Sequence, residues 1–403
     1  SQAARPPELS ENTENRPAVA TVLANRLFYS INWFSIPPIF YLIALDLHTQ
    51  VSGLGLISST FLVGIGLFQV PGAVLSAKYG PKKLCLLGMA LLSASGLLIG
   101  AASDIDVVAV LRFFSGTGMA LFFPASISLM TSHWKPGQSG FVLGLNNATA
   151  SLGGGIGLGT WALVAEAVGW RSSMFLIGAL GLAAAAFLFV SVPHDPPVTD
   201  FNVSFSDVKR ILADRWLLLV GCVLLSYNVA NTLVATFAAV YLHDDLGISA
   251  DLAGGLGSLV ILAGLFTAAP TGRFSHRITK VKLALALASL AMAAAVSAAA
   301  LATPAAVAAS AISVGLASGV GYTVAFGTAW QSSKDRNERA IALSWVNCVQ
   351  LMFSFWAPYL FSYVVVNYGY QLAWATGGLY TAVFIVPLAL FPRVEHAPLH
   401  EGH

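Results

Sequence analysis

The side chains able to do chemistry are few, and nearly all of them are uncharged. Arg112 sits inside a long apolar run and is followed by Ser115, Gly116 and Gly118, small residues that allow close helix packing. A charge held at membrane depth is costly, so this arginine is expected either to attract an anion or to couple binding to rearrangement. An equal alternative is structural, in which it hydrogen-bonds backbone carbonyls and holds a kink. Arg26 stands near the start of another apolar run, where an arginine can snorkel to the headgroups, and an interfacial role is expected for it. Asp and Glu are missing from the middle of every such run, and the eight histidines fall at run ends, between runs or in the tail. Arginine stays protonated, so the apolar interior is expected to lack a group that can pass on a proton. It is instead supplied with amides and aromatics. These are Tyr29, Asn32 and Trp33 ahead of Pro37-Pro38, then Asn146 and Asn147, Tyr227, Asn228 and Asn231, Tyr322, and finally Trp345, Asn347, Gln350 and Trp356. An amide in lipid needs a partner, so each either bonds a neighbouring helix or faces a polar cavity. No Ser/His/Asp set or Cys/His metal spacing occurs at a shared depth, and the glycines from Gly153 to Gly159 follow no strand. An enzyme, a metal site or a cofactor is therefore not expected.

The elements that must position these groups follow from composition. Of 403 residues only 9% are charged and 57% are hydrophobic, with a mean hydropathy of +0.76. A soluble fold carries about 25% charged residues, so most of this surface must face lipid. The net charge of +2 is too small for phosphate-driven binding, which excludes a nucleic-acid partner. Cys85, Cys222 and Cys348 lie far apart in apolar stretches and read as small core residues. At about 20 apolar residues per crossing, twelve spans are expected. They run over 24–47, 52–76, 83–102, 106–131, 139–165, 171–192, 215–242, 249–274, 281–302, 304–331, 340–366 and 371–392.

With the N-terminus inside, nearly all of the 20 Lys and Arg residues fall on the inner side, among them Lys78, Lys82, Lys135, Arg210, Arg277, Lys280 and Arg393. The outer connections carry Asp46, Asp104, Glu166, Asp244 and Asp251 instead. Residues 1–19 hold no apolar run that could be a signal peptide and are expected to form a cytoplasmic tail, as is 393–403. Residues 193–214 are expected to form an inner linker containing a short amphipathic helix at the membrane surface, between six-span halves at 20–192 and 215–392.

The halves repeat. Pro71 to Lys83 aligns with Pro270 to Lys282 at an offset of 199, sharing proline, serine and two basic positions. Near that offset Asn32 pairs with Asn231, Asn147 with Asn347, and Gly169-Trp170 with Gly369-Tyr370. On these residues the chain resembles the major facilitator superfamily over 20–395. Gln69 through Lys83 is similar to that family's loop 2–3 signature, with Pro71, Lys78 and Gly80 in matching places and Arg277 and Lys280 in the second copy. The stretch from Arg112 to Gly118 resembles its fourth-helix signature, and Gly169-Trp170-Arg171 its turn before helix six.

The resemblance implies an all-α membrane protein of twelve transmembrane helices in two pseudo-symmetric six-helix halves. It also implies alternating access to a small solute, expected here to be a small organic acid or anion. Without a titratable group, facilitated diffusion, exchange, or coupling in which the substrate itself carries the proton is expected. The substrate contacts expected are Tyr29, Asn32, Trp33, Arg112, Asn147, Asn228, Asn231, Tyr322, Asn347 and Gln350. A monomer in the plasma (inner) membrane, with both termini cytoplasmic and the lipid bilayer and a small molecule as partners, completes the expectation. Two departures bear on mechanism: Ala77 replaces the signature aspartate, and helix five lacks the Gly-Pro pair of drug antiporters. The segment from Trp33 to Pro38 resembles nitrate carriers, but Gln69 and Ala269 stand where those bring arginines, so nitrate does not fit. The alternatives are an exporter of amphipathic compounds and a receptor or scaffold that keeps the fold without transporting.

Overall fold

A computed structural model of the chain describes residues 15–134, 139–193, 205–274, 280–330, 336–386 and 388, all of them in helices, turns or short connections. Helix α1 spans Arg16–Phe34 and begins well ahead of the expected residue 24. The Asn15 side chain accepts from the Ala18 N–H at 3.1 Å, and Pro17 occupies the first turn. Pro37-Pro38 ends the regular helix, because neither ring nitrogen can donate. A 3₁₀ turn over Pro37–Ile39 leads into α2 (Phe40–Asp46), and the two helices meet at 40°.

The first half continues with α3 (Val51–Tyr79), α4 (Pro81–Gly100), α5 (Ile105–Ser132), α6 (Ser139–Val168) and α7 (Trp170–Ser191). After α8 (Phe205–Leu212) come α9 (Arg215–Val240), α10 (Ala250–Phe274), α11 (Val281–Ala298), α12 (Pro304–Trp330), α13 (Arg336–Met352), α14 (Trp356–Tyr368) and α15 (Tyr370–Val383). The α3–α4 turn with Lys78, Lys82 and Lys83 marks the basic end of the bundle. Asp46, Asp104, Glu166 and Asp244 mark the acidic end.

Among the described residues ten helices are long and apolar enough to cross a membrane, or eleven if the bent α1–α2 pair counts as one. The expected twelve are therefore met in part. The last, expected over 371–392, is α15, helical over Tyr370–Val383, with 389–392 outside the described residues. The span expected over 340–366 is interrupted at 353–355, where Pro358 leaves the carbonyl of Ser354 without its helical donor. The linker helix α8 docks on α13: Ile211 is buried, and Arg210 pairs with Asp207 at 3.3 Å and with Glu338. Lys135, His276, Arg277 and Lys334 lie outside the described residues.

The offset of 199 reappears in the packing. Gly116 of α5 lies against the Phe61 carbonyl of α3, and Gly315 of α12 against the Val260 carbonyl of α10. Gly178 meets Leu97 as Gly377 meets Val296, and Pro71 and Pro270 stand inside α3 and α10. Gly169 and Gly369 take φ of 85° and 87° at single-residue joints that a Cβ would strain. Helix neighbours correspond too: α3·α5 with α10·α12, α4·α7 with α11·α15, and α1·α6 with α9·α13. Between the halves, α6·α10 mirrors α3·α13.

Candidate functional site

A cavity of about 210 Å³ lies between the halves. Its lining comes from both: Trp33, Phe34, Ile57, Ser58, Phe61 and Arg112 from the first, and Asn228, Asn231, Thr232, Thr236, Ile261 and Tyr322 from the second. The bend at Pro37, itself part of the lining, sets Trp33 and Phe34 there, with their rings stacked at 5.4 Å. Phe61 stands edge-on to Trp33 at 5.1 Å.

Arg112 is the cation of the lining. It lies about two turns into α5, is 4% exposed, and its guanidinium carbon rests 4.1 Å from the Phe61 ring centroid. Its Nη2 reaches the Trp33 carbonyl at 3.4 Å, a long contact, while Nε and Nη1 have no partner. A buried donor left unpartnered is expensive, and more so when charged, so this side chain is poised for an acceptor that carries negative charge. Among the described residues no Asp, Glu or His lines the cavity. Asp46 is held at the acidic rim by Arg171 at 2.8 Å and by the Trp170 indole N–H at 3.1 Å. Glu166 accepts from the Tyr41 hydroxyl at 2.5 Å, also at that rim.

Opposite Arg112 the second half presents uncharged groups. Asn228 donates to the Ser354 hydroxyl at 2.5 Å and Asn231 to the Tyr227 carbonyl at 2.9 Å. The Tyr322 ring stands edge-on to Tyr227 at 5.8 Å. Thr232 and Thr236 extend the same α9 stripe by one helical turn each and were not among the expected contacts. The spacing of 228, 231–232 and 235–236 was available as the signal for one inward face.

Five of the expected contacts thus come together: Trp33, Arg112, Asn228, Asn231 and Tyr322. The other five do not line the cavity. Asn32 is buried towards Gly96 of α4, and Tyr29 packs beneath Phe122 and Arg26. Asn347 accepts from Gln350 on the same face of α13, and Asn147 is exposed while its neighbour Asn146 is fully buried. Of the signature residues, Gln69 is buried with both amide atoms unpartnered, and Pro71 stands inside α3. Lys78 lies over the Tyr79 ring at 5.3 Å, Gly80 takes φ 98°, and Lys280 is exposed before α11. Lys82 instead caps α7, donating to the Phe189 and Val192 carbonyls at 2.8 and 2.5 Å. The interfacial expectation for Arg26 is corrected: because α1 starts at Arg16, Arg26 lies deep in the helix and is buried.

The halves meet chiefly towards the acidic end. Gly55 lies against Ser362, Gly159 against Ser258, and the Tyr41 and His243 rings are 4.5 Å apart. On α6, Gly154 abuts Phe34 and Ile261, whereas Asn147, two turns nearer the basic end on the same face, is uncovered.

These features define an all-helical, multi-pass integral membrane protein with a cleft between two repeats. A family model described as the Major Facilitator Superfamily matches residues 22–336 and 219–402, and the chain belongs to that family, one of membrane transporters rather than enzymes. It is similar to a probable sulfoacetate transporter of Cupriavidus necator, 29% identical over 171 residues, which is 42% of this chain and 39% of that protein. It is also similar to a hexuronate transporter of Bacillus subtilis, 27% identical over 217 residues, 51% of each chain. The match therefore spans about half or less of these relatives' lengths. Among solved structures, a point mutant of the nucleoside transporter NupG shares the fold with a TM-score of 0.76 at 13% identity, over 93% of this chain and 100% of that one.

Proposed function

We propose that the chain is a carrier that moves a small organic anion across a bilayer by alternating access, as a facilitator or an exchanger. The observation that carries this reading is Arg112, a buried guanidinium with two unpartnered nitrogens beside a cavity whose lining holds no carboxylate among the described residues. A carboxylate or sulfonate would satisfy those N–H groups with charge-assisted hydrogen bonds. The acids named for the two relatives, sulfoacetate and hexuronate, support the same class. Asn228 and Asn231 already spend an N–H on protein acceptors, which leaves their amide oxygens to accept from a solute hydroxyl. A volume of about 210 Å³ suits a small solute, since pockets for drug-sized ligands run from about 300 Å³ upward.

With the basic end cytoplasmic, the charge bias puts both termini inside the plasma (inner) membrane. Contacts at the acidic end then close the outside, and the six-helix halves, 20–192 and 215–392, rock about the cavity. One chain carries the whole path, so the working unit is a monomer.

Proteoliposomes test this with a radiolabelled hexuronate. Saturable uptake and counterflow are expected, with both lost in folded Arg112→Gln. A chain that binds the acid and moves nothing is a receptor and contradicts the proposal. The aromatic lining of Trp33, Phe34, Phe61 and Tyr322 favours a second reading, an exporter of amphipathic compounds. On that reading Arg112→Gln keeps its efflux of a neutral amphiphile.

A further inference from the structure

A second buried guanidinium stands outside the cavity just described. Arg26 is 7% exposed, and its Nε and Nη1 have no partner. Its guanidinium carbon is 4.3 Å from the Tyr29 ring centroid and 5.2 Å from that of Phe123. These neighbours are neutral. Aromatic faces offset only part of the desolvation of a charge at this depth, so the site is short of one negative charge.

Arg26 lies on a continuous aromatic file with Arg112. Tyr29 and Trp33 are 6.1 Å apart, Trp33 and Phe61 5.1 Å, and Phe61 carries Arg112 at 4.1 Å. Two further buried amides of the same half, on α3 and α6, are unpartnered as well. Helices α1 and α3 run in opposite directions and meet at Trp33 and Phe61. Moving from that contact towards the basic end therefore reaches Arg26 on α1 and Gln69 on α3, both after about 10–12 Å. Gln69 is fully buried, and neither of its amide atoms has a partner. Helix α6 runs parallel to α1, with Gly153 against Leu27 and Ser30. Asn146, two turns from Gly153 towards the basic end, is likewise fully buried with both amide atoms unpartnered.

The geometry points to a second anion station at the level of Arg26 and Gln69, which holds a single carboxylate, sulfonate or comparable monoanion. It lies one step nearer the basic end than Arg112. For the identity of its ligand it rests on the organic-anion reading: the acid group would pass between the two guanidiniums as the solute enters or leaves. The amides of Gln69 and Asn146 supply donors that a passing acid group needs once water is excluded.

Bromide is the probe, read by anomalous scattering from crystals of the full chain. The wild type is expected to show two sites, one at each guanidinium. Arg26→Gln is expected to lose its own site and keep the one at Arg112. In proteoliposomes the same variant should exchange labelled hexuronate about tenfold or more slowly, a loss of at least one charge-assisted contact. Its thermal stabilisation by that acid should change less than about threefold, since Arg112 still captures it. Wild-type bromide density at Arg112 alone would overturn the second station, and this needs no variant to fold. Unaltered exchange in folded Arg26→Gln would do the same. Bromide at Arg26 with none at Arg112 supports the second station and sinks the cavity reading instead, so the two failures stay distinguishable.

Discussion

At one offset of 199 residues, Gly116 lies on Phe61 in the first half and Gly315 on Val260 in the second, yet the counterpart of Arg112 is Ala311 and that of Arg26 is Leu225. Trp33 and Thr232 are counterparts that both line the cavity, one aromatic and the other a hydroxyl. Both buried guanidiniums therefore belong to the first half, and the second answers them with amides, hydroxyls and a phenol. Close helix crossings constrain the backbone equally in both repeats, because a Cβ there would strike a carbonyl. Nothing in that packing constrains which repeat supplies charge. A duplicated scaffold can thus keep its glycines and divide its chemistry, one half holding an acid group and the other fitting the rest of the solute.

The largest effect expected from breaking this division is at Arg112. Arg112→Gln should weaken binding of a hexuronate by about 100-fold, the upper range for charge-assisted hydrogen bonds. Ala311→Ser at the counterpart position should stay within about threefold by the same titration, because no charge is removed. Equal losses would erase the asymmetry.

Packing should respond alike in both halves. A Cβ at Gly116 would stand 2.2 Å from the Phe61 carbonyl oxygen, and one at Gly315 would stand 2.6 Å from that of Val260. Gly116→Val and Gly315→Val should each lower stability by about 1–3 kcal/mol, read as a drop in Tm of the purified protein. A neutral Gly315→Val would show that the second repeat is not held as the first is.

A smaller change is expected at the uncharged side of the cavity. Asn228→Ala removes the donor to Ser354 and an acceptor for the solute, and should cost about two- to tenfold in affinity, the range of a neutral hydrogen bond. The smallest effect compares two helix caps. Asp104 accepts from the Val107 N–H at 2.9 Å, and its counterpart Thr303 accepts from the Ala306 N–H at 3.1 Å. The Val107 N–H, with help from the Ser103 hydroxyl, holds the Asp104 carboxyl below its ordinary range. A folded-state value that is depressed gives stability present above the unfolded value and lost as pH falls through the folded one. The stability difference between wild type and Asp104→Ala should therefore shrink on acidification, while that for Thr303→Ala stays level with pH.

Much of the scaffold is legible in the sequence because lipid imposes it. Spans, short hairpins, the bend at Pro37-Pro38 and the 199-residue repeat all follow from hydropathy, proline chemistry and duplication. The start of α1 escapes hydropathy although Asn15 and Pro17 announce it, since apolarity alone sets in only later. That difference displaces Arg26 to the interface and hides a buried charge. The break ahead of Pro358 lies within a continuous apolar run, where hydropathy carries no signal for it. The site is half legible. Polar residues in lipid-depth helices stand out by type, but hydropathy does not tell which face looks inward. Asn32 and Asn231 share a repeat position, yet the first turns to α4 and the second to the cavity.

The central claim is that the translocation cavity holds a fixed positive charge and no group that exchanges protons. Uptake of a labelled sulfonate monoanion into proteoliposomes, with and without an imposed pH gradient and at zero membrane potential, tests it most directly, because a sulfonate stays ionised throughout. The account predicts equilibration at the same rate and to the same level in both conditions. Accumulation above the external concentration, driven by the proton gradient, would contradict it.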